Sequence, residues 1–499
     1  MRDSDVRRAL IWIAAAAAFS FVATLNTSGY RYGVGDQAFY IPAISLHLDP
    51  SLFPRDRLLF EGQDRLMLFD EAAAAVVSAG VGLPALFLGL HLATLVLMFG
   101  AGAAIAWTLF RSVAATIAVC AAMTLWHRIT KTGVNTLEGY LHPRVLAFAI
   151  ALAAVAALLR GRSIAALGLA IAAVPVHPVI GLMFLLFVAA GCAAVDPRTR
   201  VPLGAAALLS LPFAAWLVTA GPLAGALTRM DEAWLSVLAS KDYVFPSAWE
   251  ADAWAVNLAY PVVIGAAFLG RRRSGDVAER EHAVLWGSVA VTLLFLIGLP
   301  LVAARIALAV QVQMSRVFWI LDFFAIAYAA WWVTERAPGV FGLRRPTAPL
   351  VVAGAVALAA LGRGLYQMGV VHPERTLIRA DLPDDDWSEV GRWARDQPAA
   401  TGLLADPGHA WRFGTSLRVT ALRDVFVEEQ KDTAMAMYSA RSAARVAERL
   451  GATAGFDAMT AEVARDLARR YQIDYLVIAR PMELPIAYRS GRFTVYRLR

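Results

Sequence analysis

A chain of 499 residues with 59% hydrophobic and 17% charged side chains, at a mean hydropathy of +0.56, is too apolar for a soluble protein of its size. Its Ala-, Leu- and Val-rich runs approach the roughly 20 residues a spanning helix needs, which indicates a polytopic α-helical membrane protein. The formal charge of +7 does not point to nucleic acid, because the basic residues fall in short clusters between apolar runs, as in cytoplasmic loops.

In chain order, the run 9–26 follows Arg7 and Arg8 and has the flanks of a signal peptide. Hydrophobic segments continue for hundreds of residues after it, so it reads as an uncleaved first span. Further spans are predicted at 82–107, 113–127, 144–159, 163–176, 178–195, 202–220, 254–270, 282–303, 316–334 and 347–362, about eleven in all. Cys120 and Cys192 lie inside such runs and read as small packed hydrophobes rather than a disulfide or metal pair.

Alternation of these spans puts Arg2, Arg7 and Arg8, Arg111, Arg160 and Arg162, Arg198 and Arg200, Arg271 to Arg273, and Arg336, Arg344 and Arg345 on one side. A Lys/Arg excess marks the cytoplasmic side, so the N-terminus is expected inside and the C-terminus outside. The segment Val174-Pro175-Val176-His177-Pro178 breaks the helix between the fifth and sixth candidates. Those two are either tilted spans or one re-entrant hairpin, and the topology is the same for both.

The outward connections carry the functional polarity. The first, 27–81, opens with Tyr30-Arg31-Tyr32-Gly33-Val34-Gly35-Asp36-Gln37-Ala38-Phe39-Tyr40 and continues through Leu48-Asp49-Pro50 and Phe53-Pro54-Arg55-Asp56. The second contains His127, Arg128, Lys131, Glu138, Tyr140, His142 and Arg144, and 221–253 contains Arg229, Asp231, Glu232, Lys241, Asp242 and Tyr243. Arg305, Gln311, Gln313 and Arg316 precede the tenth span.

From about residue 376 the composition becomes that of a soluble α/β domain. The expected organisation is thus a membrane domain, 1–375, and an extracytoplasmic domain, 376–499. Asp384-Asp385-Asp386 opens a predicted helix with acids at its N-terminus, and 434–449 and 458–471 read as two more. Strands are expected at 402–405, 475–479 and 493–496, the last two joined through a Pro- and Gly-containing turn region.

No GxxxxGK[ST], HExxH, CxxC or GxSxG motif is present. Asp36, the first carboxylate after the first span, reads as a general base, a cation or acceptor ligand, or a helix cap. Asp49 and Asp56 sit at proline turns, where Asp is a common local hydrogen-bonding residue. Glu138 and His142 are spaced to share a helix face or, because of Pro143, to line a turn. A His–carboxylate pair binds metal or moves protons, while interfacial anchoring is the plainer reading. His177, between prolines in an apolar stretch, needs a polar partner. Arg305 and Arg316 read as phosphate ligands or as snorkelling side chains.

The arrangement resembles the GT-C superfamily of polytopic membrane glycosyltransferases, relatives of the protein O-mannosyltransferases and the aminoarabinose transferase of lipid A. Gly35-Asp36-Gln37-Ala38-Phe39-Tyr40 stands where that superfamily carries its catalytic Asp or Asp-Glu, with Gln37 in place of a second acid. The Leu-His-Pro-Arg segment, the His177-Pro178 turn, Gln313-Met-Ser-Arg316, and Phe413, Arg418, Lys431 and the Arg-Phe-Thr-Val-Tyr ending look like bacterial members.

The resemblance implies an enzyme of the bacterial inner membrane. It would transfer a sugar from a polyprenyl-phosphate donor to a lipid, glycan or protein acceptor with inversion, with Asp36 as base. Substrate would be bound through Tyr40, Glu138, His142, Arg144, His177, Arg305 and Arg316. A divalent cation, Mg²⁺ or Mn²⁺, is left open, with Asp36, Glu138 and His142 as candidate ligands. The rival readings are a transporter or flippase of lipid-linked glycans and a non-catalytic scaffold on the same fold.

Overall fold

Long apolar runs close their backbone hydrogen bonds within the segment, so helices dominate this chain. The computed structural model describes residues 3–64, 67–340 and 345–499. Arg2 and Arg344 lie outside them, as do the side chains of Arg7 and Arg8. Among the described residues, seven helices are long and apolar enough to cross a membrane: Leu83–Phe110, Pro178–Val195, Pro197–Thr219, Ala251–Arg273, His282–Ala303, Ala307–Val340 and Ala348–Val371. Shorter apolar helices, Leu10–Asn26, Val113–Met123, Pro143–Leu159 and Ser163–Val176, fall at the remaining predicted positions.

The chain forms two compact units. The first comprises Met1–Tyr30, Gly89–Thr228 and Asp242–Ile378; the second comprises Arg31–Leu88, Arg229–Lys241 and Arg379–Arg499.

The first unit is a helical assembly around one core. Aromatic rings knit it together: Phe148 stacks on Trp319 with centroids 4.0 Å apart, and Phe187 on Phe324 at 5.3 Å. Ser163–Val176 and Pro178–Val195 are separate helices that meet at His177, whose ring Nδ1 accepts from the Ile180 N–H. They approach so closely that a Cβ on Gly181 would lie 2.4 Å from Val174 Cα, so only glycine fits there.

In the second unit, loop 31–88 carries helices Gln37–Leu48, Arg57–Asp64 and Phe69–Ser78. The C-terminal part forms a five-stranded sheet from Gly402–Leu404 (β1), Asp424–Val425 (β2), Tyr475–Ile478 (β3), Ile486–Ser490 (β4) and Phe493–Arg497 (β5), in the order β2-β1-β3-β5-β4. β1 runs parallel to β2 and β3, whereas β5 is antiparallel to β3 and β4.

Side chains alternate across the sheet. Leu403, Val477 and Val495 pack with Trp387 and Leu417. Leu404, Leu476, Ile478 and Tyr496 pack with Ala464 and Leu467.

Three local expectations are corrected. The segment joining 475–479 to 493–496 holds a further strand, β4, and β2 is too short to stand out in sequence. The helix expected over 434–449 begins at Ala440, because Ser439 caps it and accepts from the Ser442 N–H. Residues before it belong to another helix, Glu429–Met435, and a 3₁₀ turn, Ala436–Tyr438.

Candidate functional site

In the second unit the turn before Asp36 is built by Gly33 and Gly35, both in the left-handed region at φ 81° and 59°. Gln37 is fully buried and its Oε1 accepts from the Gly33 N–H at 2.6 Å, so this side chain closes the turn. Asp36 occupies the N-cap position of Gln37–Leu48, yet its carboxylate accepts no capping hydrogen bond. Instead it accepts from Lys431 Nζ at 2.9 Å, and the Asp36 side chain keeps 29% of its surface exposed.

Lys431, on Glu429–Met435, also lies over the Phe39 ring at 5.3 Å. Lys241 is nearby; burial and then the charge of Lys431 hold its ammonium below the ordinary value, against the pull of Asp36. Its Nζ donates to the Gln430 carbonyl at 3.1 Å. Asp36 is thus a partly exposed carboxylate paired with an ammonium. Tyr40 is buried, edge-on to Phe69 at 6.0 Å.

Asp49 behaves as a proline-turn acid, accepting from the Ser51 N–H and hydroxyl at 2.9 and 2.7 Å. Asp56 does not, and the local reading of it is corrected. It is fully buried, pairs with Arg418 at 2.8 Å, with Arg445 and with Arg449, and accepts from the Val425 N–H at 2.9 Å. Arg418 in turn holds Asp432 with both guanidinium nitrogens. Burial and then the charge of Asp56 push the neighbouring Asp424 up to about 7. The Phe53-Pro54-Arg55-Asp56 turn is therefore a charged anchor to the sheet. Three arginines spaced along the C-terminal sequence gave no signal of convergence on it.

In the first unit the second outward loop folds back on itself. The helix Pro143–Leu159 starts only at Pro143, so Glu138 and His142 line a turn rather than a helix face. Glu138 pairs with Arg144 at 2.5 Å, both nearly buried, and Arg144 also donates to the Gly133 carbonyl. His142 caps the helix by accepting from the Arg144 N–H at 3.2 Å, and its ring lies 6.5 Å from that of His177.

Arg316 is buried at the start of Val317–Trp331 and, with Arg144 and His142, lies close enough to His177 for their charges to bear on it. Five predicted residues, Glu138, His142, Arg144, His177 and Arg316, therefore form one cluster. Arg305 lies half-buried in the turn before Ala307–Gln311, in the left-handed region at φ 61°.

His127 faces Asp322 at 3.2 Å, and Tyr260 hydrogen-bonds the same carboxylate. Asp322 was missed, although a lone acid within the apolar run Val317–Trp331 is the signal to look for. Lys131 pairs with Asp242 and Glu250, so part of the positive charge of the second outward connection is offset.

Among the described residues no group of three or more His, Cys, Asp or Glu is placed to hold a metal ion. Glu138 accepts from Asn135 as well as Arg144, and His142 Nδ1 accepts the Arg144 N–H, so these two candidate ligands are already engaged.

No protein-family model matches the sequence, and comparison with curated proteins finds no significant match. Solved structures do show likeness. The chain is similar to the apo oligosaccharyltransferase of Archaeoglobus fulgidus over 94% of this chain and 69% of that one, at 12% identity and a TM-score of 0.45. It is similar to AglB of the same organism, in complex with an inhibitory peptide and a dolichol-phosphate, over 94% and 69%, at 13% identity and 0.41. Likeness to the mycobacterial arabinofuranosyltransferase AftD covers 96% of this chain but 36% of that one, at 17% identity and 0.47, so the chain spans about a third of its length. All three are glycosyl-transferring enzymes by name. At these identities and TM-scores no residue role is carried over from them.

Proposed function

We propose that this protein is a membrane glycosyltransferase that moves a sugar from a polyprenyl-phosphate donor to an extracytoplasmic acceptor. Asp36 takes the proton of the attacking hydroxyl. The oxygen attacks the anomeric carbon, the bond to the lipid phosphate breaks, and the configuration inverts. The observation that carries this reading is the Asp36 carboxylate, which is exposed enough to meet a substrate and is not used as a cap. Its ion pair with Lys431 supports the charged form that a base needs.

Within the first unit, the cluster of Arg144, Arg316, His142 and His177 is of a kind that binds a phosphate, since guanidinium groups match phosphate geometry. The proposed topology has the N-terminus and the basic connections in the cytoplasm. In its support, Arg111, Arg271, Arg280 and Arg336, from three different connections, line a single cavity of about 710 Å³.

The test is Asp36→Asn in purified, lipid-reconstituted protein given a radiolabelled polyprenyl-phosphate sugar. A positioned base contributes about 10²–10⁴-fold, so the variant should insert normally and transfer at least about 100-fold more slowly. A variant that inserts normally and turns over at the parent rate would remove Asp36 from the reaction.

A further inference from the structure

The C-terminal sheet of the second unit has its own crevice. β1 lies between its two parallel neighbours: the chain reaches β2 on one side, then crosses back to β3 on the other. In open α/β sheets, ligands bind beyond the carboxyl ends of the strands at such reversals. Here the segments just after β1 and β2 line a cavity of about 540 Å³. Pocket sizes of this order hold small organic ligands. Its walls are tied together, because the Glu429 N–H donates to the Pro407 carbonyl at 2.9 Å and the Gly408 N–H to Asp406 Oδ1 at 2.8 Å.

The lining has a specific chemical character. Trp411 contributes an indole that is 79% exposed, an unusual position for so large an apolar surface. Around it stand Asp406, Asp457 and Glu429 as acceptors and Arg412 as donor, bridged to Asp406 and 3.5 Å from Asp457. Glu428 also lines the cavity and is nearly fully buried. Its Oε1 accepts from Ser416 at 2.6 Å, while Oε2 accepts no hydrogen bond among the described residues.

Arg412 offsets part of the charge of Asp406 and Asp457, and Glu428 faces His409 and Arg418, so the crevice keeps a net acidic lining and excludes an anionic ligand. A flat, polarisable aromatic face ringed by paired acceptors and donors matches a saccharide. The C–H face of the ring lies on the indole while its hydroxyls both give and accept hydrogen bonds.

We propose that the crevice beside Trp411 binds a neutral saccharide, making the second unit a glycan-binding module in its own right. This binding does not depend on the chemistry assigned to Asp36, and the two claims fail separately.

The experiment is saturation-transfer NMR on the full chain in lipid nanodiscs, free of sugar-headed detergent. Millimolar mannose, galactose, arabinose and glucosamine, and a lysine tripeptide, serve as probes. The parent and Asp36→Asn proteins should transfer saturation to the ring protons of at least one neutral sugar. Trp411→Ala should weaken that signal at least about tenfold, or about 1.4 kcal/mol, and Trp411→Phe should keep most of it. Because Trp411 is exposed, neither change threatens the fold. Equal transfer in parent and Trp411→Ala, no transfer to any neutral sugar, or transfer to glucosamine and the tripeptide alone would each overturn the proposal.

Discussion

Asp424 illustrates how one buried side chain sets a pH response. Burial first, and then the negative charge of Asp56, raise its carboxyl from the usual 3.8 to about 7. Its oxygens accept the Arg55 and Asp56 N–H groups at 3.0–3.2 Å, contacts that oppose but do not cancel the rise. A folded-state pKa above the unfolded one means the folded form binds more protons between the two values. The associated stability is fully present below about pH 4 and is lost as pH rises through about 7. Glu428 works the other way: burial raises it, but Arg418 and then His409 outweigh that and hold it down at about 2. Its contribution is present above its unfolded value of 4.5 and fades as pH falls toward 2. The two windows overlap only near pH 4, and because burial also raises Asp432, the Asp424 contribution is read as the difference between the parent and Asp424→Asn. Asp424→Asn keeps an oxygen acceptor for both N–H groups but does not titrate. A tenfold change in proton affinity between folded and unfolded chain is worth about 1.4 kcal/mol. The parent should therefore lose about 1–3 kcal/mol across that window that the variant does not lose. Thermal unfolding of the second unit, followed at several pH values, checks this, and parallel curves for the two proteins would refute it.

At the scale of elements, the Phe53-Pro54-Arg55-Asp56 turn is held by charge as well as by apolar contact, Phe53 being buried in a cluster that Ala399 and Leu422 join. Asp56 serves Arg418, Arg445 and Arg449 while fully buried. Removing one partner of a buried network leaves the others uncompensated and costs about 3–5 kcal/mol. Asp56→Ala should lower second-unit stability by that amount, whereas Asp49→Ala, which frees only the Ser51 contacts, should cost well under half as much. Limited proteolysis near residues 50–60 and in the sheet gives the readout. The contrast shows what was legible in the sequence. The apolar runs, the acid-started helix at Asp386–Arg395 and three strands of the sheet were readable, because period and capping are local. Asp49 and Asp56 look alike locally, and only the fold brings Arg418, Arg445 and Arg449 to the second. The same holds for Asp36: its position marked it, but Lys431, 395 residues away, gave no hint of pairing with it. His142 and His177 were singled out separately, and their approach to 6.5 Å depends on the close helix pair that Gly181 permits.

For the whole molecule the governing question is which side each connection occupies. The proposed topology assigns Arg111, Arg160 and Arg162, Arg271 to Arg273, and Arg336 to one side, which by the positive-inside rule would be the cytoplasmic one. Within the first unit these connections do come together. Burial, and then the charges of Arg162 and Arg111, hold Arg160 below the ordinary guanidinium value, which requires the three to be neighbours. Arg271 is buried against Glu281, and both border the cavity that Arg111 and Arg336 also line. Convergence of this kind is expected if the odd and even connections face opposite compartments. It supports these connections sharing a side, and the arginine count favours the cytoplasmic one for the proposed topology. Ser274 and Ala400 are both exposed, so each takes a cysteine without disturbing packing. Cys120 and Cys192 are buried and are replaced first to give a clean background. Ser274→Cys should react with an impermeant maleimide only once the cytoplasmic side is opened. Ala400→Cys should react in cells whose outer barrier alone has been breached. Labelling of both from the same side would place an odd number of crossings wrongly between residues 274 and 400. The candidate spans there are His282–Ala303, Ala307–Val340 and Ala348–Val371, three crossings that the proposed topology requires.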